Sequence, residues 1–400
     1  MARQDRMTQT GTRRITVVSI LLLVLAMTGP MQAEWMIAGC EEKMTWNEQG
    51  EQLFFPDAAA KDAVCLIDIG GNRLSPKIIA TLPLANSVYG PPTNLVITPD
   101  EKLAFVSNPV KIVDTDGKPA VAPDNKLHLI DLEGTPRHIS TIDVGQQPSG
   151  MDISPDGKLL LIANRAENAV SVLSIAGKSA ALIGSVDVGV PTAAVTFTPN
   201  GRRALIVQKQ HNKVGILHVR GTKVTYAPRQ DINVGISPYN VAVCPRGSIA
   251  LVANSGVTGG NDGNVDTVSV IDLEAKPAHV ISAVTVGDGP EGLAISPTGR
   301  LAAAVLIRGS QNARANPATA WAYHKNGSVA ILSIRGKIVR KIEEIEVGGM
   351  PEGVVFSDDG KYIYVGNFLS SDVSILKVDG RKVTNTGRTL TLPGHPGAMR

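Results

Sequence analysis

Glu291 and Glu352 stand in the same local context, Pro-Glu-Gly, in two successive stretches of the chain that otherwise differ. Two carboxylates brought together can hold a cation. They can also divide into an acid and a base, because like charge at short range pushes one pKa upward. Kept apart, each would be a hydrated side chain bonded to its own loop. His395 precedes Pro396 near the C-terminus, with Arg400 beyond it. It is a third acid–base candidate, or a residue that only fastens the chain end. Arg165, Lys209, Arg308 and Arg314 are cations that could receive a carboxylate or phosphate, though scattered surface charges need no such purpose. His211 and His324 could be ligands or proton carriers; a single loop histidine is more often just solvated. Asn254 and Asn367 recur with Asn108 and Asn164 at one place in a repeat. Such an Asn can reach a bound molecule, or hold the following loop through side-chain to backbone bonds. Asp262, Asn264 and Asp266 offer oxygens at alternate positions, as calcium loops do, and Asp114-Thr115-Asp116-Gly117 is similar. Leu273 falls where an EF-hand loop would carry its bidentate Glu. There is no G-x-S-x-G elbow, H-E-x-x-H pair, Walker A loop or C-x-x-C run.

These residues recur because the chain repeats itself. Segments from Asp143, Asp187, Asn233, Thr285 and Glu346 share one grammar, and a looser copy begins at Gly90. Each opens with a short strand and a turn such as Ser154-Pro155-Asp156-Gly157, where Pro presets φ and Gly takes the left-handed position. An almost wholly apolar strand follows, as in Leu159 to Ala163, the pattern of a strand buried on both faces. A third strand alternates (Ala169 to Leu173), and a fourth runs to the next Val-Gly (Ile183 to Val188). Four antiparallel strands per repeat of about forty residues make one propeller blade. A β-helix has shorter coils, and an open sandwich does not repeat one unit.

Six copies open at Pro92, Pro148, Pro191, Pro238, Pro290 and Pro351. Leu392 to Ala398 matches the start of a seventh. Its remaining strands, Asp62 to Ile69 and Ile78 to Leu84, lie at the other end of the chain. The expected fold is therefore all-β: a seven-bladed β-propeller with four antiparallel strands per blade over residues 61–400, its last blade closed by both termini. A signal peptide at 1–33 and an N-terminal arm at 34–60 are expected to precede it.

Tyr364-Val365-Gly366-Asn367 and Phe105-Val106-Ser107-Asn108, with Val-Ser-Val-Ile-Asp strands and Ser-Pro-Asp-Gly turns around such motifs, resemble the YVTN-repeat β-propeller family. The sequence is also similar to the wider lactonase-like and cytochrome d1-like propellers. This resemblance spans residues 60–400. Its lactonase-like branch implies hydrolysis of a lactone ring. Its cytochrome d1 branch implies an accessory role beside a periplasmic dehydrogenase or electron-transfer system. Propellers host many activities, so the likeness speaks to fold before function.

In such a ring the first strand of each blade lines the channel and runs from top to bottom. The Ser-Pro-Asp-Gly turns then lie below. The Val-Gly-x-x-Pro approaches lie above, with the loops between second and third strands. Three of those loops are long: Pro109 to Asn125, Ser255 to Asp266 and Arg308 to Gly327. Extra length on one face shapes a binding site or caps an exposed core edge. Gly150, Ala193, Gly292, Gly353 and Gly397 fall where inner strands converge, and packing alone accounts for them.

Arg3, Arg6, Arg13 and Arg14 precede the apolar run Ile15 to Met27. That run is short of the roughly 20 residues a membrane span needs, so it reads as a signal ending near Ala33. A retained anchor, a lipoprotein box at Ile37 to Cys40 and a twin-arginine start at Thr12 to Arg14 are the alternatives. The net charge of +3 lies within residues 1–33. The balanced remainder carries no chain-wide footprint for nucleic acid. The expected location is periplasmic or secreted, as a monomer. There Cys40 and Cys65 could pair as a disulfide, with Cys244 a core thiol. The expected function is binding of a small molecule or periplasmic protein at the top face and channel mouth. The alternative is lactonase-like hydrolysis with Glu291, Glu352 or His395 as general base and a divalent cation such as calcium as electrophile.

Overall fold

The apolar runs are the second strands of their sheets and are buried throughout: Leu159–Asn164, Ile249–Asn254 and Leu301–Leu306. In the computed structural model, residues 34–47, 49–257, 262–311 and 320–400 are described. The expected signal at 1–33 and Arg314 lie outside them. Seven four-stranded antiparallel sheets stand in a ring, each with its strands in spatial order from the channel outward. The second blade shows the pattern: Pro148–Ile153, Leu159–Asn164, Ala169–Ala176, Ser179–Asp187. Its outermost strand is mostly exposed, because nothing packs beyond it. Cores form between neighbouring sheets. Leu301, Ala303 and Val305 of the fifth blade pack with Val354, Phe356 and Ile363 of the sixth.

The bottom turns lock themselves. Ser154 Oγ donates to Asp156 Oδ1 (2.6 Å) and accepts from Leu159 N (2.9 Å), while Gly157 sits at φ +71°. Ser357, Asp359 and Tyr362 repeat the arrangement. These short, self-bonded turns return each inner strand outward at one level.

The seventh blade joins the chain ends. Its order from the axis is His395–Met399, Trp35–Glu41, Ala63–Asp68, Lys77–Leu82. Gly39 pairs with Ala398 and Cys40 with Pro396. The closure by both termini is as the sequence predicts, but the boundary at 34–60 is not. Trp35–Glu41 is an integral strand rather than part of an arm. It is the segment apolar enough to be buried on both faces, and in the sequence it reads as a sequel to the signal. Residues 42–62 form the top loop of this blade: a hairpin of Met44–Trp46 with Gln52–Phe54, then a 3-10 turn at Pro56–Lys61. The long segment expected at Pro109 to Asn125 is likewise strand, since Leu103–Thr115 and Lys118–Asp131 stay paired to their tip. Among the described residues, no helix is long and apolar enough to cross a membrane.

A buried ionic node pins the closing blade to the first. Lys43 Nζ lies 2.9 Å from Glu41 and 2.8 Å from Asp62, donates to the Asn86 carbonyl, and is 1% exposed. Glu41 also accepts Ser87 Oγ (3.0 Å) and Val88 N (2.8 Å). Burial opposes the Lys43 charge, but the two carboxylates outweigh it and hold the ammonium pKa above its ordinary value. Removing one member of such a cluster strands the others without a partner. Lys43→Met is therefore expected to lower unfolding free energy by about 3–5 kcal/mol, read by denaturant titration; an unchanged midpoint would contradict the role given to this node.

Candidate functional site at the channel mouth

Six residues that follow blade-opening prolines fall at one level around the axis: Thr93, Ser149, Thr192, Tyr239, Glu291 and Glu352. Backbone contact fixes their spacing. Gly150 N donates to the Ala193 carbonyl (3.0 Å) and Met151 N to that of Thr93 (2.9 Å). A Cβ on Gly292 would lie 1.9 Å from the Glu352 carbonyl, so only glycine allows the fifth and sixth inner strands to approach this closely.

That approach brings the two glutamates together. Their carboxyl groups lie close enough to act on one another, Glu352 being 1% exposed and Glu291 half-buried. Burial and then the charge of Glu291 push Glu352 well above the ordinary carboxylate range. Burial raises Glu291 too, and Lys209 offsets only part of that rise. Of the two, Glu352 lies deeper and is held further above the ordinary range, so it is the carboxyl that more readily keeps a proton. The second oxygen of Glu352, Oε2, is buried and has no partner among the described residues.

Lys209 follows the second strand of the third blade, Arg203–Gln208, and opens a 3-10 turn, Lys209–His211. Its ammonium stands 4.4 Å above the Tyr239 ring, a cation–π contact. Burial lowers its pKa, and Glu291 opposes that shift. Burial carries the buried Tyr239 phenol well above its ordinary value, and Glu291 adds to it. Arg165 acts on the same cluster from the second blade, moderating both Glu291 and Tyr239. Above lies an apolar cover of Met44, Val88, Val110, Ile307, Met350 and Phe368, drawn from the first, fifth, sixth and seventh blades. Trp46 of the hairpin meets Phe368 edge-on at 5.6 Å. The long top loops thus both cap the ring and bound the mouth.

The other candidates are engaged elsewhere. His395 Nδ1 lies 2.7 Å from the Phe368 carbonyl and 3.1 Å from Ser371 Oγ, and its ring stacks on Phe368 at 4.9 Å. It fastens the sixth blade to the seventh and is not joined to the carboxyl pair. Asn254 Nδ2 donates to Thr267 Oγ1 and Ser269 Oγ, both at 3.0 Å. Asn367 Nδ2 donates to Asp372 (2.6 Å) and Ser374 (2.9 Å), so both Asn side chains hold loops. Arg308 lies 3.7 Å from Glu344 and 3.1 Å from His324 Nδ1 on the fifth blade. His211 is exposed on the turn that Lys209 opens.

Asp262, Asn264 and Asp266 do not form a cage. Asp262 Oδ1 accepts Asn264 N, and Asp266 Oδ2 accepts Gly289 N, both at 2.9 Å. Among the described residues no group of three or more His, Cys, Asp or Glu is placed to hold a metal. Nearby Asp288 is pushed up to about 6 by burial, against a bond from Gly263 N. Cys40 and Cys65 are free buried thiols with sulfurs 3.8 Å apart, so the expected disulfide is not formed in this structure. They sit diagonally across strands in which Cys40 pairs with Ala63 and Ala38 with Cys65. Cys40 donates to Cys65, which raises the Cys40 pKa well above its ordinary value and lowers that of Cys65.

Seven sheets closed by both termini, with the long loops on one face, can be set against solved structures. A 6-phosphogluconolactonase candidate from Bacteroides uniformis superposes with a TM-score of 0.69 at 13% identity, covering 92% of this chain and 99% of its own. The chain has the seven-bladed β-propeller fold. The periplasmic gluconolactonase PpgL of Pseudomonas aeruginosa gives 0.66 at 17% identity, covering 92% and 98%. The hydrazine synthase of Kuenenia stuttgartiensis gives 0.56 at 19%, covering 74% and 79%. No family model and no curated protein matches the chain by sequence.

Sequence reasoning missed Tyr239, although it holds the same post-proline place as Glu291. A blade joint, unlike a proton carrier, should be felt in stability alone. His395→Asn should cost about 1–2 kcal/mol of unfolding free energy and leave ligand affinity at the mouth within twofold. A selective loss of affinity at unchanged stability would return His395 to the site.

Proposed function

We propose that this chain is an exported propeller that binds a small lactone at its channel mouth and hydrolyses it. The single observation behind this reading is the Glu291–Glu352 pair, brought together by the close approach at Gly292 and flanked by the Lys209 ammonium on Tyr239. A carboxylate kept ionised next to a cation is a general base facing an oxyanion partner. In this scheme Glu291 takes a proton from water as the water oxygen bonds to the lactone carbonyl carbon. Lys209 and Arg165 stabilise the negative oxygen that results. The ring C–O bond then breaks, and Glu291 returns the proton to the departing alkoxide, giving a hydroxy acid. Glu352 keeps its own proton in this scheme, so the pair carries one negative charge rather than two between turnovers.

The likeness to lactonase-named propellers supports this reading at the level of fold. A second reading, docking of a periplasmic partner on the top face, is favoured by exposed Ile236, Val257, Val265 and Trp321 on the fourth and fifth blades.

Turnover of a panel of five- and six-membered sugar lactones tests the proposal. Glu291→Gln should reduce kcat/KM by about 100-fold or more. Lys209 holds the Glu291 pKa down, so Lys209→Met should raise it and move the acid limb of the pH–rate profile to higher pH. A Glu291→Gln protein as active as the parent, or no turnover of any lactone, would contradict the proposal.

A further inference from the structure

Two of the seven joints between blades carry the same ionic staple on the bottom side. Lys178 of the second blade reaches Asp131 (2.9 Å) and Glu133 (2.8 Å) of the first. Lys337 of the fifth reaches Asp272 (2.7 Å) and Glu274 (2.9 Å) of the fourth. The strand register identifies the matching place on the third blade. Asp131 pairs with Leu103 and Asp272 with Ile249, each the first residue of its second strand. The equivalent partner of Arg203 is His218. The third blade therefore puts His218 and Arg220 where the others have their acids.

The consequence is a cleft of about 980 Å³ between the third and fourth blades, lined by Arg202, Arg203, His218, Arg220, Glu274 and Lys276. Its one acid, Glu274, is already held by Lys337. Arg203 Nη2 donates to the Leu273 carbonyl (3.1 Å), and His218 Nε2 meets Gln230 Oε1 (2.7 Å). Among the described residues, Arg202, Arg203, Arg220 and Lys276 form no ion pair. Arg202, Arg220 and Lys276 are exposed. Like charges gathered in one concavity repel one another and focus a positive potential outward.

We propose that this cleft is a binding site for a phosphoryl group, separate from the channel mouth and independent of any activity there. Guanidinium forks match phosphate oxygens in bidentate fashion, and the cations here outnumber the single charge of a carboxylate. A multiply charged phosphate ester or diphosphate answers them better. That chemistry is common to soluble phosphate esters and to anionic lipid headgroups.

Calorimetry with inorganic pyrophosphate at low salt is the direct test. Vesicles of phosphatidylcholine with and without phosphatidic acid distinguish the two sources. Pyrophosphate binding alone marks a soluble ligand, and co-sedimentation only with phosphatidic acid marks a lipid headgroup. The Arg202→Gln/Arg220→Gln variant should weaken either interaction at least tenfold while melting with the parent. Lys178→Gln, at the stapled joint, should leave it unchanged. No binding of either probe, or an equal loss in Lys178→Gln, would overturn the proposal.

Discussion

A ring of sheets has a free edge until its last sheet is completed, and here that sheet is built from both ends of the chain. His395–Met399 supplies the inner strand and Trp35–Glu41 the next. Every interblade core depends on that join, because a ring held open would expose the apolar faces that neighbouring blades now cover. The Lys43 node sits at this seam, bonded to Glu41, Asp62 and the Asn86 carbonyl. Its buried charges stabilise little by themselves. They fix one arrangement of the closing loop, since any other would leave them unpaired.

Closure also creates the site. Once seven inner strands share an axis, the residues after their prolines must meet, whatever their chemistry. Serine and threonine at this level in the first three blades are unremarkable. Glutamates in adjacent blades are another matter, since Glu352 is buried against the charge of Glu291. The close approach at Gly292 sets that distance, and Lys209, seated on Tyr239, favours the charged form of Glu291 over that of Glu352. Fold and electrostatics are thus one constraint seen at two scales.

Much of this was legible in the sequence. The repeat, its turns and the split last blade follow from the spacing of Pro, Gly and apolar runs. So does the equivalence of Glu291 and Glu352. The second strand of the closing blade was not legible, because Trp35 to Cys40 comes soon after the apolar run Ile15 to Met27 and lacks the repeat's own turn. Nor was the part played by His395. Its position beside the seventh Pro marks it as a mouth residue, but its ring turns toward Phe368 and the blade joint. The cover of Met44, Val110 and Phe368 joins residues far apart in sequence, and no local pattern announces such a meeting. The cationic cleft was hidden by a balanced total charge, which says nothing about where the charges stand.

A neutral, protonated Glu352 is what the proposed chemistry at the mouth requires. Difference infrared spectroscopy reads it directly, through the C=O stretch of a protonated carboxyl. A band at neutral pH that shifts in heavy water and vanishes in Glu352→Gln is the expected result. A spectrum unchanged by that substitution would mean that Glu352 is ionised like any surface carboxylate, and that the two side chains do not meet at the mouth of the channel.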